Sequence, residues 1–281
     1  MADNAASDPL RACSATLVPV REILPWREGY RRETQGQIVH DSLHSREGWT
    51  QSYQLRLGAT VVGYGAAAVA GPWKGTRTIF EFYVAAEYRP HAFDLFETLV
   101  TSAGITAFEV QTNDTLLTIM LPLWCLDATN DKIVFRDAGP TSLPVPAGVI
   151  FRRATPGDLV RIFPHQAEPV GDWVLEIDRT IVATGGILFH YNPPHGDLYF
   201  EVAAPFQRRG LGRYLLQELK RVCREGGKIP CARCKPQNLA SRRAIQNAGF
   251  APCSHVLTGR LVRPTDVIAS AQPRASASSP P

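Results

Sequence analysis

Three arginines and two glycines lie within one six-residue run of this chain, in a pattern that suits phosphate binding. The run Arg208-Arg209-Gly210-Leu211-Gly212-Arg213 follows residues 197–202, whose aromatic and branched side chains predict a strand. After the run, apolar residues recur every three or four positions as far as Gly226-Gly227, which predicts a helix that ends there. Because backbone N–H groups are unpaired at a helix N-terminus, this loop is predicted to bind a diphosphate.

Other phosphate-binding loops fit these residues less well. A P-loop needs Lys followed by Ser or Thr after its last glycine, but Arg213 and Tyr214 follow Gly212, which excludes that motif. A dinucleotide-binding fold needs an acid about 20 residues further on to bind a ribose, whereas Cys231 to Lys235 stand in that region. A tight strand-to-helix turn with solvent-facing arginines stays open as an alternative.

A second segment gives the loop a context. Asn238-Leu-Ala-Ser241 begins a predicted short helix that closes on Gly249-Phe250, after a short strand near residues 231–234. In order and spacing, the Gln-x-x-Gly-x-Gly loop, the strand, the Asn-x-x-Ser segment and the closing Gly-Phe resemble the GCN5-related N-acetyltransferase (GNAT) superfamily. The resemblance covers about residues 149–262.

The resemblance implies acetyl-coenzyme A as the co-substrate, with its pyrophosphate on the glycine loop. It implies the cofactor-binding residues Val202, Gln207, Arg208, Arg209, Gly210, Leu211, Gly212, Arg213, Asn238 and Ser241. For Asn238 a plain helix N-cap is an alternative or an additional role. The implied chemistry is direct attack of a neutral amine on the thioester, with a backbone N–H near Val202 stabilising the oxyanion.

An internal repeat predicts a second copy of the same fold. Leu55–Val62 parallels Leu175–Val182 at an offset of 120 residues, and Val84–Arg89 parallels Val202–Gln207 at an offset of 118. The predicted fold class is therefore α/β (α+β), with two tandem GNAT-like domains. Each is expected to hold a mixed, mostly antiparallel, splayed central sheet flanked by helices.

The N-terminal copy is predicted to be degenerate. It has Arg89-Pro90-His-Ala92-Phe-Asp94 where the other copy has its glycines. Pro90 has no backbone N–H to offer a phosphate, Ala92 adds a methyl group at the point of close approach, and Asp94 places a negative charge near the phosphate position. A strand and an Asn113-Asp114 helix start are kept. We therefore expect that this copy has lost its cofactor through changed side chains and not through a changed fold.

Composition sets the predicted limits of the domains. A Gly- and Pro-rich stretch marks a semi-rigid linker, and both chain ends are low in apolar bulk. The prediction is a disordered N-terminus at 1–14, a degenerate domain at 15–137, a linker at 138–148, a GNAT domain at 149–263 and a disordered tail at 264–281.

Net charge, targeting segments and cysteine spacing limit the partners, the location and the metal content that we expect. The formal net charge of +4 does not argue for nucleic acid, and neither a signal peptide nor an apolar run of membrane length is present, so a cytoplasmic protein is expected. The six cysteines lack disulfide or zinc spacing, and no metal is expected. The expected partner is a small-molecule or peptide amine, with a homodimer left open. His40 and His44 are assigned a surface or interface role.

Three residues are candidates for proton transfer. Glu201 is the first choice as general base, with Tyr199 on the same strand face and His190 in the preceding turn as the next choices. A cross-strand charge pair is the competing role for Glu201.

Many family members have a tyrosine acid where this chain has Ile245. Three alternatives stay open: another residue protonates the leaving thiolate, water is sufficient for this step, or the copy binds acyl-coenzyme A without turnover. Two classes thus stay open: an N-acetyltransferase and a non-catalytic acyl-coenzyme A sensor.

Overall fold

The computed structural model describes residues 12–262, which divide into two compact units. Within the described residues, unit 1 comprises 12–34, 43–129 and 257–262, and unit 2 comprises 35–42 and 130–256. No helix among residues 12–262 combines the length and the apolarity that crossing a bilayer requires.

Unit 1 contains a sheet and three helices. Four strands pair antiparallel in sequence order, and a fifth pairs parallel with the fourth. The elements are β1 (Cys13–Val18), α1 (Leu24–Thr34), β2 (Thr50–Leu57), β3 (Thr60–Ala68), β4 (Thr78–Val84), α2 (Ala92–Ala103), β5 (Ala107–Gln111) and α3 (Thr115–Trp124).

The next strand, β6 (Cys125–Asp137), has residues in both units, as has the last strand, β12 (Phe250–Leu261). Unit 2 then repeats the order of unit 1, except that a 3₁₀ turn at Pro156–Arg161 stands where unit 1 has α1. Its other elements are β7 (Ile150–Arg153), β8 (Trp173–Ile177), β9 (Thr180–Leu188), β10 (His195–Val202), α4 (Leu211–Glu225), β11 (Ile229–Cys234) and α5 (Leu239–Asn247). The strand order within this unit is β6-β11-β10-β9-β8-β7.

The repeat extends to individual positions. Strands β3 and β9 have equal length at an offset of 120 residues. Gly65 and Gly185 lie at this offset, and a Cβ on either would approach within 3 Å a leucine of the helix packed on the strand, Leu99 in one unit and Leu219 in the other. Glycine at this position therefore allows the same close helix–sheet packing in both units. The predicted mixed, mostly antiparallel sheets flanked by helices are confirmed.

Both sheets splay at their parallel pair. In unit 2, β10 pairs with β11 only from His195 to Leu198, although β10 continues to Val202. In unit 1, β4 pairs with β5 at Thr78 and Ile79 and then continues to Val84. Each unit therefore has a gap where the two strands separate, as predicted.

The observed limits differ from the predicted ones in two segments. Residues 35–42 pack with unit 2, and residues 257–262 pack with unit 1. Most of the predicted disorder at 1–14 and all of that at 264–281 lies outside the described residues, but Cys13 and Ser14 begin β1, so the predicted disorder was too long by these residues. The linker has no regular structure, yet Leu143 is held on α4 because Gln217 bonds both its N–H and its carbonyl group.

Candidate functional site

The glycine loop joins β10 to α4 through two backbone conformations that favour glycine. A short 3₁₀ turn at Ala204–Phe206 follows the strand, and then Arg208 adopts a φ of 61° and Gly210 a φ of 80°. Gly210 is the N-cap of α4, and its carbonyl accepts the N–H of Tyr214 at 3.2 Å. These left-handed residues turn the chain so that the loop opens directly into the helix.

The loop presents a run of unpaired donors. The backbone N–H groups of residues 208–213 make no hydrogen bond to any other group within residues 12–262. They stand at the positive end of a 15-residue helix. The side chains of Arg208, Arg209 and Arg213 are exposed around them. This donor set fits an anion of the size and charge of a diphosphate.

The two glycines serve different purposes. A Cβ on Gly210 would lie 3.1 Å from Nε of Arg213, on the side of the loop that carries the arginines. A Cβ on Gly212 would lie 2.7 Å from Cε2 of Phe200. Gly212 therefore lets the first turn of α4 pack against β10, whereas Gly210 lies on the arginine side, where its role toward an anion stays a prediction.

The Asn238 segment is confirmed as a helix start. Oδ1 of Asn238 accepts the N–H of Ser241 at 3.0 Å, so Asn238 is the N-cap of α5. Both residues are at least partly exposed. Ile245, at the position where the family resemblance implies a tyrosine, is 1% exposed within the core of unit 2. No acidic group stands in its place.

The corresponding loop of unit 1 has a different backbone. The 3₁₀ turn at Ala86–His91 runs directly into α2, and the N–H of Ala92 bonds to the carbonyl of Arg89. No residue between Ala86 and Ala103 has a positive φ. The strand and the helix start that this copy was expected to keep are present as β5 and as Asp114, the N-cap of α3. The predicted chemical differences are also present, and in addition the loop itself is built differently.

The gap position of unit 1 is filled by buried charge. Glu81 on β4 accepts from Nε and Nη2 of Arg27 at 3.2 and 3.1 Å, and from the hydroxyl of Tyr64 at 2.8 Å. Nε2 of His44 lies 3.0 Å from the same carboxylate. Burial alone would raise the pKa of Glu81, but Arg27 and His44 outweigh it and lower this pKa well below its usual range. His40 and the side chain of His44 are both buried, which contradicts a surface role, while an interface role stays a prediction.

The outer face of β10 carries the candidate proton-transfer residues. Leu198 and Phe200 pack toward α4, and alternation places Asp197, Tyr199 and Glu201 on the opposite face. The carboxylate of Glu201 accepts three backbone N–H groups at 2.8, 3.1 and 3.1 Å, from residues 166, 167 and 168 respectively. Glu201 thus anchors a loop that crosses this face.

These hydrogen bonds weaken Glu201 as a base. Burial raises its pKa, but the three N–H groups and nearby His165 outweigh burial and lower it. His165 is itself fixed. Its Nδ1 donates to the carbonyl of Glu168 at 2.8 Å, its Nε2 is hydrogen-bonded to the hydroxyl of Thr184 at 3.0 Å, and its ring stacks on Phe163.

A buried ion pair lies beside the gap. Asp197 is 2% exposed, and its Oδ2 accepts from Nε of Arg233 at 3.0 Å. The guanidinium also donates to the hydroxyl of Tyr191 and lies 5.0 Å from that ring. Burial raises the pKa of Asp197 against the opposing effect of Arg233. His190 packs its ring on Tyr191 at 4.2 Å, which places it next to this pair rather than on the face of β10.

A segment from the N-terminal part of the chain completes this region of unit 2. The amide of Asn192 accepts the N–H of Ile38 and donates to the carbonyl of Gly36 at 3.0 Å. Val39 packs in a cluster with Tyr191. Asn192 thus binds the backbone of residues 35–42 on both its donor and its acceptor side.

Replacing Asn192 with Ala is expected to loosen residues 35–42. The change removes the partners of two backbone groups, at about 1–3 kcal/mol for each group left unpaired when buried. Urea unfolding should show this loss, and hydrogen exchange should show faster exchange at the amide of Ile38. The matched control is Asn247→Ala, because Asn247 is exposed at the end of α5. Equal protection of Ile38 in both variants would contradict this role.

Sequence reasoning missed several residues that the structure brings to this face. Arg233 and Glu168 bond to residues of β10, and His165 bonds to Thr184 of β9. Asn192 bonds to the segment at 35–42 beside this region. Only Arg233 had a usable signal, since a charged residue between two cysteines of a buried strand needs a partner. The others lie in loops without a recurring pattern.

Comparison with known proteins gives this geometry a family context. Residues 148–250 match the model of the acetyltransferase (GNAT) family. The search of curated proteins finds no match. A GNAT-family acetyltransferase from Colwellia psychrerythraea aligns with a TM-score of 0.66 at 12% identity, over 89% of this chain and 100% of its own.

Two further structures are similar over the same share of this chain, 89%. A GCN5-related N-acetyltransferase from Sphaerobacter thermophilus has a TM-score of 0.57 at 16% identity, with 96% of its chain covered. A tandem GNAT protein from the clavulanic acid biosynthesis pathway has a TM-score of 0.55 at 12% identity, with 98% covered. At these identities the likeness concerns the fold, and it agrees with the repeated order of elements in units 1 and 2.

Proposed function

We propose that this chain is an acetyl-coenzyme A-dependent N-acetyltransferase, starting from the match of residues 148–250 to the model of the acetyltransferase (GNAT) family. The observation that carries the proposal is the run of unpaired backbone N–H groups at 208–213, at the start of α4. In this proposal unit 2 is the catalytic copy, and the acceptor is a primary amine of a small molecule or a peptide.

The residues present fit the cofactor. The N–H groups of 208–213 would hold the pyrophosphate, with Arg208, Arg209 and Arg213 around it, and Gln207, Asn238 and Ser241 would border the rest of the molecule. Bound acetyl-coenzyme A supplies an activated acyl group. Within residues 12–262, no three His, Cys, Asp or Glu side chains are grouped so as to hold a metal ion.

The gap beside β10 offers donors for the oxyanion. The N–H of Ala203 bonds to Val182 of β9 at 2.9 Å. Because an antiparallel strand alternates its hydrogen-bonding sides, the N–H groups of Phe200 and Val202 point away from β9, toward the gap. The predicted oxyanion donor near Val202 therefore has a suitable direction.

Tyr199 is proposed as the donor that protonates the leaving thiolate. Burial, followed by the charges of Asp172 and Glu168, raises the pKa of Tyr199, so its hydroxyl stays protonated at neutral pH. Its ring lies over Gly186, where a Cβ would come within 2.5 Å of the hydroxyl oxygen. The hydroxyl is thus held on the outer face of β10. His190 stays a prediction for an auxiliary role.

A non-catalytic acyl-coenzyme A sensor is the second candidate. The buried Ile245 favours it, because that position supplies no acid for turnover. Both candidates predict the same cofactor binding, and they differ in whether an amine is consumed.

Binding and turnover test the proposal together. Titration calorimetry with acetyl-coenzyme A is expected to give one site per chain, because only unit 2 has the donor run. Thiol release with a panel of amino acids, polyamines, aminoglycosides and peptides then distinguishes enzyme from sensor. Two equivalent sites would contradict the role of unit 2, and one site without thiol release would favour the sensor.

A further inference from the structure

The loop crossing the outer face of β10 presents a carboxylate that no other part of the site uses. Glu168 has its backbone fixed at both polar groups, since its N–H bonds to Glu201 at 3.1 Å and its carbonyl to His165 at 2.8 Å. Its carboxylate makes no hydrogen bond or ion pair with residues 12–262. A fixed backbone with an unengaged carboxylate on a partly exposed residue is an arrangement ready for a ligand.

We propose that Glu168 is the carboxylate that receives the acceptor's ammonium group and takes its proton, and that Glu201 is the positioning residue that holds Glu168 over Tyr199. This inference rests on the proposed function. It assigns the acceptor site to the face formed by Tyr199, Glu201 and the loop at 163–170. It also makes the acceptor a group that arrives as a cation.

The hydrogen bonds that hold the loop indicate that it positions Glu168. Thr184, which is fully buried, fixes the ring of His165, and that ring fixes the carbonyl of Glu168. Three consecutive N–H groups converge on the one carboxylate of Glu201. A loop that only covered the sheet would not need its backbone defined at this single residue.

The electrostatic surroundings suit a base. Burial raises the pKa of Glu168, with Asp197 and Glu201 of β10 acting in the same direction. Arg233 of β11 and Lys132 of β6 act against this rise. A carboxyl group whose pKa moves toward the working pH transfers protons more effectively than one of ordinary acidity. Glu201, whose pKa moves down, is the weaker base of the two.

The proton balance is simple. The acceptor ammonium gives one proton to the carboxylate of Glu168 and becomes a neutral amine. The amine nitrogen bonds to the thioester carbon, the carbon–sulfur bond breaks with its electron pair on sulfur, and the second amine proton ends on sulfur through Tyr199. Glu168 then returns its proton to solvent.

Butylamine is the test acceptor, because it offers a cationic amine and little else. Glu168→Gln is expected to lower kcat/KM by about 10²-fold or more, with the same dissociation constant for acetyl-coenzyme A. The acidic limb that Glu168 sets in the pH–rate profile should be lost and replaced by a rise at the higher pH where butylamine itself becomes neutral, so the loss should shrink at high pH. Glu168→Asp should recover part of the rate and the limb. Normal turnover in Glu168→Gln would overturn the proposal.

Two other variants separate the roles. Glu201→Gln should raise KM for butylamine while keeping the acidic limb, because the base is still present but less well held. Glu225→Gln, an exposed change at the end of α4, should behave as the wild type. Loss of the limb in Glu201→Gln with its retention in Glu168→Gln would reverse the assignment.

A measurement without turnover keeps the inference separate from the proposed function. Glutamate carboxyl carbons can be labelled with ¹³C, and the Glu168 resonance can be identified by its absence in Glu168→Gln. Added butylammonium should shift this resonance in the wild type. If no amine releases thiol, the enzyme proposal fails while such a shift still supports an amine-binding Glu168. An unchanged resonance at saturating acetyl-coenzyme A would overturn the inference even if turnover occurs.

Discussion

Gly210→Asp is expected to weaken acetyl-coenzyme A binding by about 10²-fold or more. The new carboxylate would stand at the N-cap of α4, among the donors predicted to bind the pyrophosphate. Two unit charges about 5 Å apart at an effective dielectric constant of 20 repel by roughly 3 kcal/mol, and each 1.4 kcal/mol is a factor of ten. Titration calorimetry measures the loss directly.

The other end of the same helix provides the control. Gly227 also has a positive φ, 69°, and a Cβ there would have no neighbour within 4 Å. Gly227→Asp therefore introduces the same residue with similar backbone strain, far from the loop. It should leave binding intact, and its carboxylate at the negative end of the helix should lower the midpoint of thermal unfolding more than Gly210→Asp does. Equal binding by the two variants would mean that the loop at 208–213 does not hold the phosphate.

The local pattern around this loop could be predicted from sequence because it depends on neighbours in the chain. Strand composition, the glycines and the three- and four-residue spacing of α4 identify a strand, a turn and a helix without any distant contact. The second copy could be predicted because two pairs of similar segments lie at nearly the same separation along the chain, as expected for two copies of one fold. The fold could therefore be predicted almost entirely.

The structural roles of individual residues were harder to predict than the fold. Gly212 reads as a phosphate-approach glycine, yet its missing side chain makes room for the ring of Phe200. Lys220 lies on the buried side of α4, where its ammonium donates to the carbonyls of Ala248 and Gly249 at 2.9 Å each. Both roles depend on a partner distant in sequence, which spacing along one element cannot reveal.

The same limit explains the proton-transfer residues. Strand alternation correctly placed Tyr199 and Glu201 on one face, but it could not show that residues 166–168 direct three N–H groups at Glu201. Those residues belong to a loop with no periodicity. A carboxylate on the correct face therefore looked like a base, although its hydrogen bonds suit an anchor.

Unit 1 shows how far a repeat can diverge inside a kept fold. Its gap position holds Glu81 where the offset of 118 places Tyr199 in unit 2, and a cation from α1 covers it. Nearby, burial raises the pKa of Asp114 to about 7, against the effect of its bond to the N–H of Leu117. A buried set of charges fits a structural role for this copy rather than acyl transfer.

The largest stability loss is therefore expected in unit 1, from Glu81→Gln. Glu81 is fully buried, and the change leaves the nearly fully buried guanidinium of Arg27 without the carboxylate that neutralises it. Removing one partner of a buried ion pair typically costs about 3–5 kcal/mol. Urea unfolding of the full chain should show this loss in the transition of unit 1, while acetyl-coenzyme A binding by unit 2 persists at low denaturant.

The pH dependence gives an independent check with a definite sign. Because the pKa of Glu81 is lower in the folded state, its contribution is fully present above the unfolded value, about 4.3, and is lost as the pH falls below it. Glu81→Gln should lack this acid-side loss. The control is Glu33→Gln, which breaks the exposed pair with Arg89 and should change stability by less than about 1 kcal/mol. A Glu81→Gln protein as stable as Glu33→Gln would mean that the cluster does not support unit 1.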